Sequence, residues 1–179
     1  MEARRGLNLA ESYVQWTRAE HKELRRDDTD MFELCTDVAD SFWLKAEPQK
    51  VRIEVQGEGP FWAQVDQTLY RRALGNLVEN ALRFSPAGSI IRITLFGEQS
   101  HWRIEVSDQG PGVLAQDIDK IFEPYVRGSG AMAPSSDSIG AGLGLAFVRL
   151  VVDRHDGSIA VKNLTPRGAC FTFTVPASI

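Results

Sequence analysis

Two asparagines stand one helical turn apart in the segment NLVENALRFSP, at Asn76 and Asn80, with Glu79 beside the second and Arg83 just beyond. Helical spacing gathers Arg72, Asn76, Glu79, Asn80 and Arg83 on one face. Asparagine is a poor helix former, because its side chain competes for nearby backbone groups. A pair on one face therefore needs a reason, and the chemistry offers one. The amide oxygen is a ligand for a hard cation such as Mg2+, and the NH2 group donates to phosphate oxygens. A carboxylate beside them orients water or accepts a proton. A solvated polar stripe is the plain alternative.

Two further groups carry chemistry. In IEVSDQGPGV a run of strand character ends in Asp108, with Gly110 and Gly112 after it. A carboxylate there accepts a hydrogen bond from an exocyclic amine, and the glycines let a flat ring approach the backbone. An ordinary strand-to-turn exit has the same composition. In GAGLGLAFVRLV, Gly140, Gly142 and Gly144 open a helix. Exposed N–H groups and the helix dipole suit such an end to phosphate. No G-x-x-x-x-G-K-[ST] run occurs, which excludes a P-loop. The glycine run does not closely follow a strand, as a dinucleotide-binding βαβ unit requires.

These groups need elements to hold them. Residues 1–26 read as a helix with Leu9, Tyr13, Trp16 and Leu24 on one stripe. It either lies on its own domain or ends a dimer coiled coil. RRDDTD is a polar break in which Asp28, Thr29 or Asp30 caps the next helix, MFELCTDVADSFWLKA. VRIEV and FWAQV read as strands around the turn QGEGP. Asp66 caps a helix that runs to Phe84 and stops before Pro86; its core stripe is Tyr70, Ala73, Leu74, Leu77, Ala81 and Phe84. IIRITLF and HWRIEVSD form a hairpin, and a short helix covers 115–121. Residues 126–141 read as a mobile loop rich in Gly, Ser and Ala. A helix follows, closed by Gly157, and SIAVKN and CFTFTV complete the chain as strands. Strands in hairpins beside a few helices predict an α+β sandwich, one mixed sheet with helices on one face.

The bulk properties agree with one globular domain. The chain has 179 residues, 43% of them hydrophobic and 25% charged. Its net charge of −4, with no basic block, excludes the electrostatic footprint of a nucleic-acid binder. Cys35 and Cys170 form no C-x-x-C pair and read as reduced thiols of a cytosolic chain. No stretch approaches the roughly 20 apolar residues of a membrane span, although the chain is expected to be a piece of a larger membrane protein.

Taken in order, the motifs resemble the ATP-binding catalytic domain of sensor histidine kinases, of the superfamily shared with gyrase, Hsp90-type chaperones and MutL-type repair proteins. NLVENALRF resembles the N box, DQGPG the G1 box, IFEPYVRG the F box and GAGLGL the G2 box. The resemblance spans residues 28–179 and implies a Bergerat-type two-layer fold, with residues 1–27 as the end of a dimerisation helix. It implies that ATP and Mg2+ are bound. Asn80 would coordinate Mg2+, and Asn76 and Arg83 would meet the phosphates. Glu79 would assist proton movement, and Phe84 would lie against the adenine. Asp108 would bind the adenine amine in a pocket shaped by Gly110 and Gly112. Phe122 and Tyr125 would anchor a lid, Tyr125 standing where the family often has Phe, and Arg127 would reach the γ-phosphate. Gly140, Gly142 and Gly144, with Leu143 and Leu145 between and after them, would line the triphosphate.

The implied reaction is transfer of the γ-phosphoryl group of ATP to a histidine. The family's acceptor box has an acidic residue directly after His and a Pro a few positions on. His21 is followed by Lys22, and the first proline is Pro48. His101 and His155 read as structural. The acceptor is therefore expected on a dimerisation domain outside this chain, in a full-length homodimer that passes the phosphoryl group to a response regulator receiver domain. The alternative is a non-catalytic interaction module gated by nucleotide.

Overall fold

The computed structural model describes residues 13–14, 16–126 and 142–178. In chain order the elements are β1 (Asp27–Asp30), α1 (Met31–Ser41), α2 (Trp43–Ala46), a 3-10 turn (Glu47–Gln49), β2 (Arg52–Gln56) and β3 (Trp62–Val65). They continue as α3 (Gln67–Phe84), β4 (Ile90–Glu98), β5 (His101–Ser107), α4 (Gly144–Arg154), β6 (Ile159–Asn163) and β7 (Ala169–Pro176). A five-stranded sheet has the order β2-β4-β5-β7-β6. β2 runs parallel to β4 and every other pair is antiparallel, so the sheet is mixed as expected.

One face of the sheet is apolar and the other is open. Ile91, Ile93 and Leu95 of β4, Ile104 and Val106 of β5, and Phe171, Phe173 and Val175 of β7 alternate into the core. Leu34 and Val38 of α1, Leu74, Leu77 and Val78 of α3, and Phe147, Val148, Val151 and Val152 of α4 join the same cluster. The alternate strand residues carry charge. Arg92 pairs with Glu54 at 3.2 Å, and Arg103 bonds Glu98 and Glu105 while lying over the Phe96 ring. The helices therefore cover one face, and α3 sits centrally among them.

Asp66 caps its helix as expected, and of the three candidates Asp28, Thr29 and Asp30 it is Asp30 that caps α1. Asp30 Oδ1 accepts from Phe32 N–H at 2.9 Å, and Asp66 Oδ1 accepts from Leu69 N–H at 3.1 Å. Four local expectations are corrected. The polar break is partly a strand: Asp27–Asp30 pairs antiparallel with Trp62–Val65 in a separate two-stranded sheet. The backbone of β3 needs a partner there, and pairing uses main-chain groups whatever the side chains. β2 and β3 consequently belong to different sheets. The helix expected over 31–46 breaks at Phe42, where Ser41 Oγ donates to Val38 O at 2.7 Å in competition with the helical ladder. Residues 115–121 form successive turns rather than a helix, closed by Asp117 N–H to Leu114 O and Ile121 N–H to Asp117 O. They serve to deliver Ile121 and Phe122 to the core.

The end of α4 corrects the expected glycine cap. Asp156 takes the left-handed position, at φ 60°, and Gly157 follows it, donating from N–H to Val152 O at 3.0 Å. Gly157 is required for a different reason: a Cβ there would lie 2.1 Å from Thr174 O. Residues 16–21 are helical; Trp16 packs against the core and Ala19 is buried within it. Among the described residues no helix is long and apolar enough to cross a membrane.

Candidate functional site

The row Arg72, Asn76, Asn80 and Phe84 runs along α3 at four-residue steps. Asn76 and Asn80 are half-buried, whereas Glu79 and Arg83 are exposed. At the near end, Arg72 lies 4.4 Å over the Phe147 ring of α4. Asn76 Nδ2 donates to Gly144 O at 3.2 Å, tying α3 to the first turn of α4. At the far end the Phe84 carbonyl lies against Gly110, so close that a Cβ on Gly110 would stand 2.8 Å from it. Phe84 itself is 37% exposed, which removes it from the core stripe and leaves its ring free for a ligand. Eight residues of helix separate Asn76 from Phe84, about 12 Å, which suits a ligand with an anionic end and a flat end.

Glu79 and Arg83 lean the other way. Glu79 Oε1 pairs with Lys45 Nζ at 3.2 Å, an exposed pair of small energetic weight. Both line an open groove of about 440 Å³ with Leu44, Lys45, Pro48, Gln49 and Leu82.

Asp108 occupies the end of β5 and is 5% exposed. Its Oδ1 accepts from Gly110 N–H at 2.8 Å and from Ala169 N–H at 3.2 Å. Burial raises its pKa above the usual carboxylate range, and the two backbone donors oppose the rise. Oδ2 has no hydrogen bond among the described residues, so one acceptor oxygen remains for a donor on a ligand. Gly112, at φ 83°, continues the turn, and a Cβ there would collide with Asn163 Oδ1 at 2.6 Å.

The two described flanks of the glycine-rich loop meet. Tyr125 N–H donates to Gly142 O at 3.0 Å, with Tyr125 at φ 65° and Gly142 at φ 72°. Phe122 is buried, edge-on to Phe171 at 6.2 Å, while the Tyr125 ring is largely exposed. Phe122 is thus the anchor of this flank. Leu143, at the N-cap of α4, is buried and offers no side-chain cap, and the first turn of α4 has no acidic residue. The N–H groups at that end have no capping side chain and stand beside Asn76. Leu145 is half-buried against the core. Arg127 and Gly140 lie outside the described residues.

Two supporting residues, Asn163 and Gly168, were not found from the sequence, and His155 was read only as structural, without its partners. Asn163 holds the Asp108 turn with both ends of its amide, accepting from Val113 N–H and donating to Val113 O, each at 2.7 Å. Gly168 sits at φ 115°, and a Cβ there would be 2.1 Å from Asp108 O. His155 is buried; its Nε2 accepts from Asp66 N–H at 2.9 Å and its Nδ1 bonds Val151 O at 2.7 Å. That arrangement requires the neutral ring with its proton on Nδ1, and burial lowers its pKa. It fixes the end of α4 to the start of α3, which bears out its structural reading. The only available signal for Asn163 and Gly168 was the turn LTPRGA beside a strand, and it names no partner.

Among the described residues no group of three or more His, Cys, Asp or Glu is placed to hold a metal. A Mg2+ ion shared between one amide oxygen and ligand phosphates does not need such a group, so Asn80 fits that use.

Comparison with known proteins agrees with this geometry. Residues 65–179 match the model of the histidine kinase-, DNA gyrase B- and HSP90-like ATPase family. The chain is 40% identical over 129 residues to the sensor-like histidine kinase SenX3 of Mycobacterium tuberculosis, covering 71% of this chain and 31% of the relative. It is 36% identical over 138 residues to the sensor protein SphS of Synechococcus elongatus, covering 75% and 33%. The chain thus spans about a third of the length of these relatives. Among solved structures it is similar to the mycobacterial sensor histidine kinase MprB, at 26% identity and a TM-score of 0.73, covering 85% of this chain and 97% of the other. It is also similar to full-length ShkA in complex with AMPPNP, at 25% identity and a TM-score of 0.81, covering 97% and 36%. The chain belongs to the histidine kinase-, DNA gyrase B- and HSP90-like ATPase family, and its relatives there are sensor histidine kinases.

Proposed function

We propose that this domain binds Mg-ATP and donates the γ-phosphoryl group to a histidine on a dimerisation domain. One observation carries the reading. A buried carboxylate with one oxygen held by backbone and one left over stands at one end of an asparagine row, and an uncapped helix start stands at the other. Asp108 Oδ2 receives the adenine amine, Gly110 and Gly112 keep the floor of that pocket free of side chains, and Phe84 packs on the ring. Asn76 and the N–H groups around Gly142, Leu143, Gly144 and Leu145 hold phosphate oxygens, and Arg83 reaches them only by swinging out of the groove it lines with Lys45. Arg127 and Gly140, outside the described residues, are assigned to the γ-phosphate by resemblance alone, while Phe122 and the Tyr125 backbone hold the described flank of the loop. Asn80 would hold Mg2+, which would supply positive charge to offset that of the transferring group. Glu79 accepts or relays the proton of the attacking imidazole, after exchanging its present pairing with Lys45.

Such transfer depends on alignment and charge neutralisation more than on covalent chemistry by the protein. No histidine of this chain is aligned for it. His155 is buried with both nitrogens bonded, and His101 Nδ1 bonds Ser100 Oγ. His21 is exposed beside Glu20 on the entering helix. That helix, within residues 1–27, is the end of the dimerisation element in the homodimeric full-length kinase, and a receiver domain takes the phosphoryl group onward. ATP is an intracellular substrate, which places the domain on the cytoplasmic side of any sensor that carries it.

The test uses γ-labelled ATP with Mg2+, with and without a dimerisation domain supplied in trans. Acid-labile label on the supplied histidine and none on this chain is the expected result. Label on the isolated chain that is lost in His21→Gln would make the entering helix the acceptor element. Tight nucleotide binding without transfer to any supplied domain would favour a nucleotide-gated interaction module.

A further inference from the structure

The entering helix touches both ends of α4. At the start of α4, Trp16 joins Arg72, Asn76, Leu143, Gly144 and Phe147 around a void of about 40 Å³, room enough for water. At its end, Arg154 Nη2 donates to Lys22 O at 2.8 Å and Nη1 donates to Ala19 O. The last helical rung before this point is Lys22 N–H to Arg18 O, so Ala19 O and Lys22 O are carbonyls that a helix end leaves without internal partners. A guanidinium there satisfies them and opposes the helix dipole. The next residues are fastened too. Arg25 N–H donates to Asp66 Oδ2 at 3.2 Å, and Arg26 Nη2 donates to Arg154 O at 3.0 Å and to Asp156 Oδ2 at 3.1 Å.

We propose that Trp16 and Arg154 are positioning residues for the phosphate-facing turn of α4, acting through the docked entering helix. The inference rests on the nucleotide reading above. The turn Gly142–Gly144 has no side-chain cap and is held by Asn76 on one side. Tyr125 N–H holds Gly142 O at 3.0 Å, and the remaining support is the wall of Trp16, Arg72 and Phe147, in which the Arg72 guanidinium lies on the Phe147 ring. Arg154 keeps Trp16 in that wall by clamping the helix one to two turns further on. When the helix is undocked, Trp16 leaves, water enters the wall, and the first turn of α4 loses its register with Asn76. Linkage makes the effect reciprocal: phosphate bound at this turn strengthens docking by the factor that docking strengthens phosphate binding. The domain would thereby report nucleotide occupancy to whatever precedes it in the chain.

The experiment compares ATP with adenosine, which lacks the phosphates, on the 179-residue chain. Amide shifts in titrations give both affinities. Trp16→Ala and Arg154→Met should each weaken Mg-ATP by roughly fivefold or more. Adenosine affinity should be unchanged in both, and the double variant should be no weaker than the worse single one, because both act through one docked helix. Hydrogen exchange at residues 16–22 should slow when Mg-ATP is added to the parent but not to Arg154→Met. Should Trp16→Ala fail to fold, Arg154→Met carries the comparison alone. Unchanged ATP affinity in the variants, with the parent binding ATP, overturns the positioning role and leaves the nucleotide site intact. A parent that binds neither ATP nor adenosine overturns the nucleotide reading itself.

Discussion

Asp108→Asn separates a binding carboxylate from a structural one. In the folded chain Oδ1 accepts from Gly110 and Ala169, and an amide oxygen in the same place can keep both bonds. The change falls on the second position, where an NH2 group replaces the acceptor oxygen. Adenine presents an amine there, so two donors would face each other. A hydrogen bond to a charged acceptor contributes about 1.5–3 kcal/mol, and a buried donor left unpaired costs about 1–3 kcal/mol. Together these give ~2.5–6 kcal/mol, or roughly a 10²- to 10⁴-fold loss of affinity. Stability should move the other way. The folded-state pKa of Asp108 is raised, chiefly by burial, so the ionised form costs stability at neutral pH. That cost disappears as pH falls through the raised pKa, and the neutral amide never incurs it. Calorimetric titration with Mg-ATP, paired with thermal unfolding at pH 7, reads both effects. The expected result is lost affinity with an unchanged or higher Tm. Parent-like affinity would remove Asp108 from the site, and lost affinity with a Tm many degrees lower would make its role structural.

Asn80→Ala should abolish the gain in ATP affinity that Mg2+ provides while adenosine affinity stays within about twofold, since different groups hold metal and base; titrations with and without Mg2+ check it. Gly168→Ala should destabilise the fold by on the order of 3 kcal/mol in urea unfolding, because alanine is strained at φ 115° and its Cβ would lie 2.1 Å from Asp108 O. His155 has a lowered folded-state pKa, so the stability it contributes is complete above its ordinary value of 6.5 and is lost as pH falls, when the unfolded chain takes up the proton that the native ring resists. The slope from this residue is at most about 1.4 kcal/mol per pH unit, and His155→Gln should flatten the profile just below pH 6.5 while lowering stability at pH 7.

The site was legible in the sequence where it rests on local periodicity. The polar face of α3 follows from four-residue spacing, and Asp108 from a strand that ends in a glycine turn. Asp66 was legible as a cap for the same reason, whereas the cap of α1 was legible only to within Asp28, Thr29 and Asp30. What was not legible depends on register between distant strands. Gly168 meets Asp108 because Ser107 pairs with Cys170 across β5 and β7, a partnership sixty-three positions apart that no local pattern encodes. Asn163 reaches Val113 by the same route. β1 was hidden because DDTD has poor strand propensity, and its pairing is supplied by the backbone of β3. Phe84 was placed in the core by periodicity, but it is the last residue of α3 and its ring is left exposed.

The most direct test of the central claim is a map of backbone amide shifts across a titration with Mg-ATP. The account predicts that the largest shifts join the two ends of the α3 row: Asn76, Asn80 and Gly144 at the phosphate end, and Phe84, Asp108, Gly110 and Gly112 at the base end. Saturation with shifts confined to the groove of Leu44, Lys45, Gln49 and Leu82, or no shifts at millimolar ATP, would contradict it.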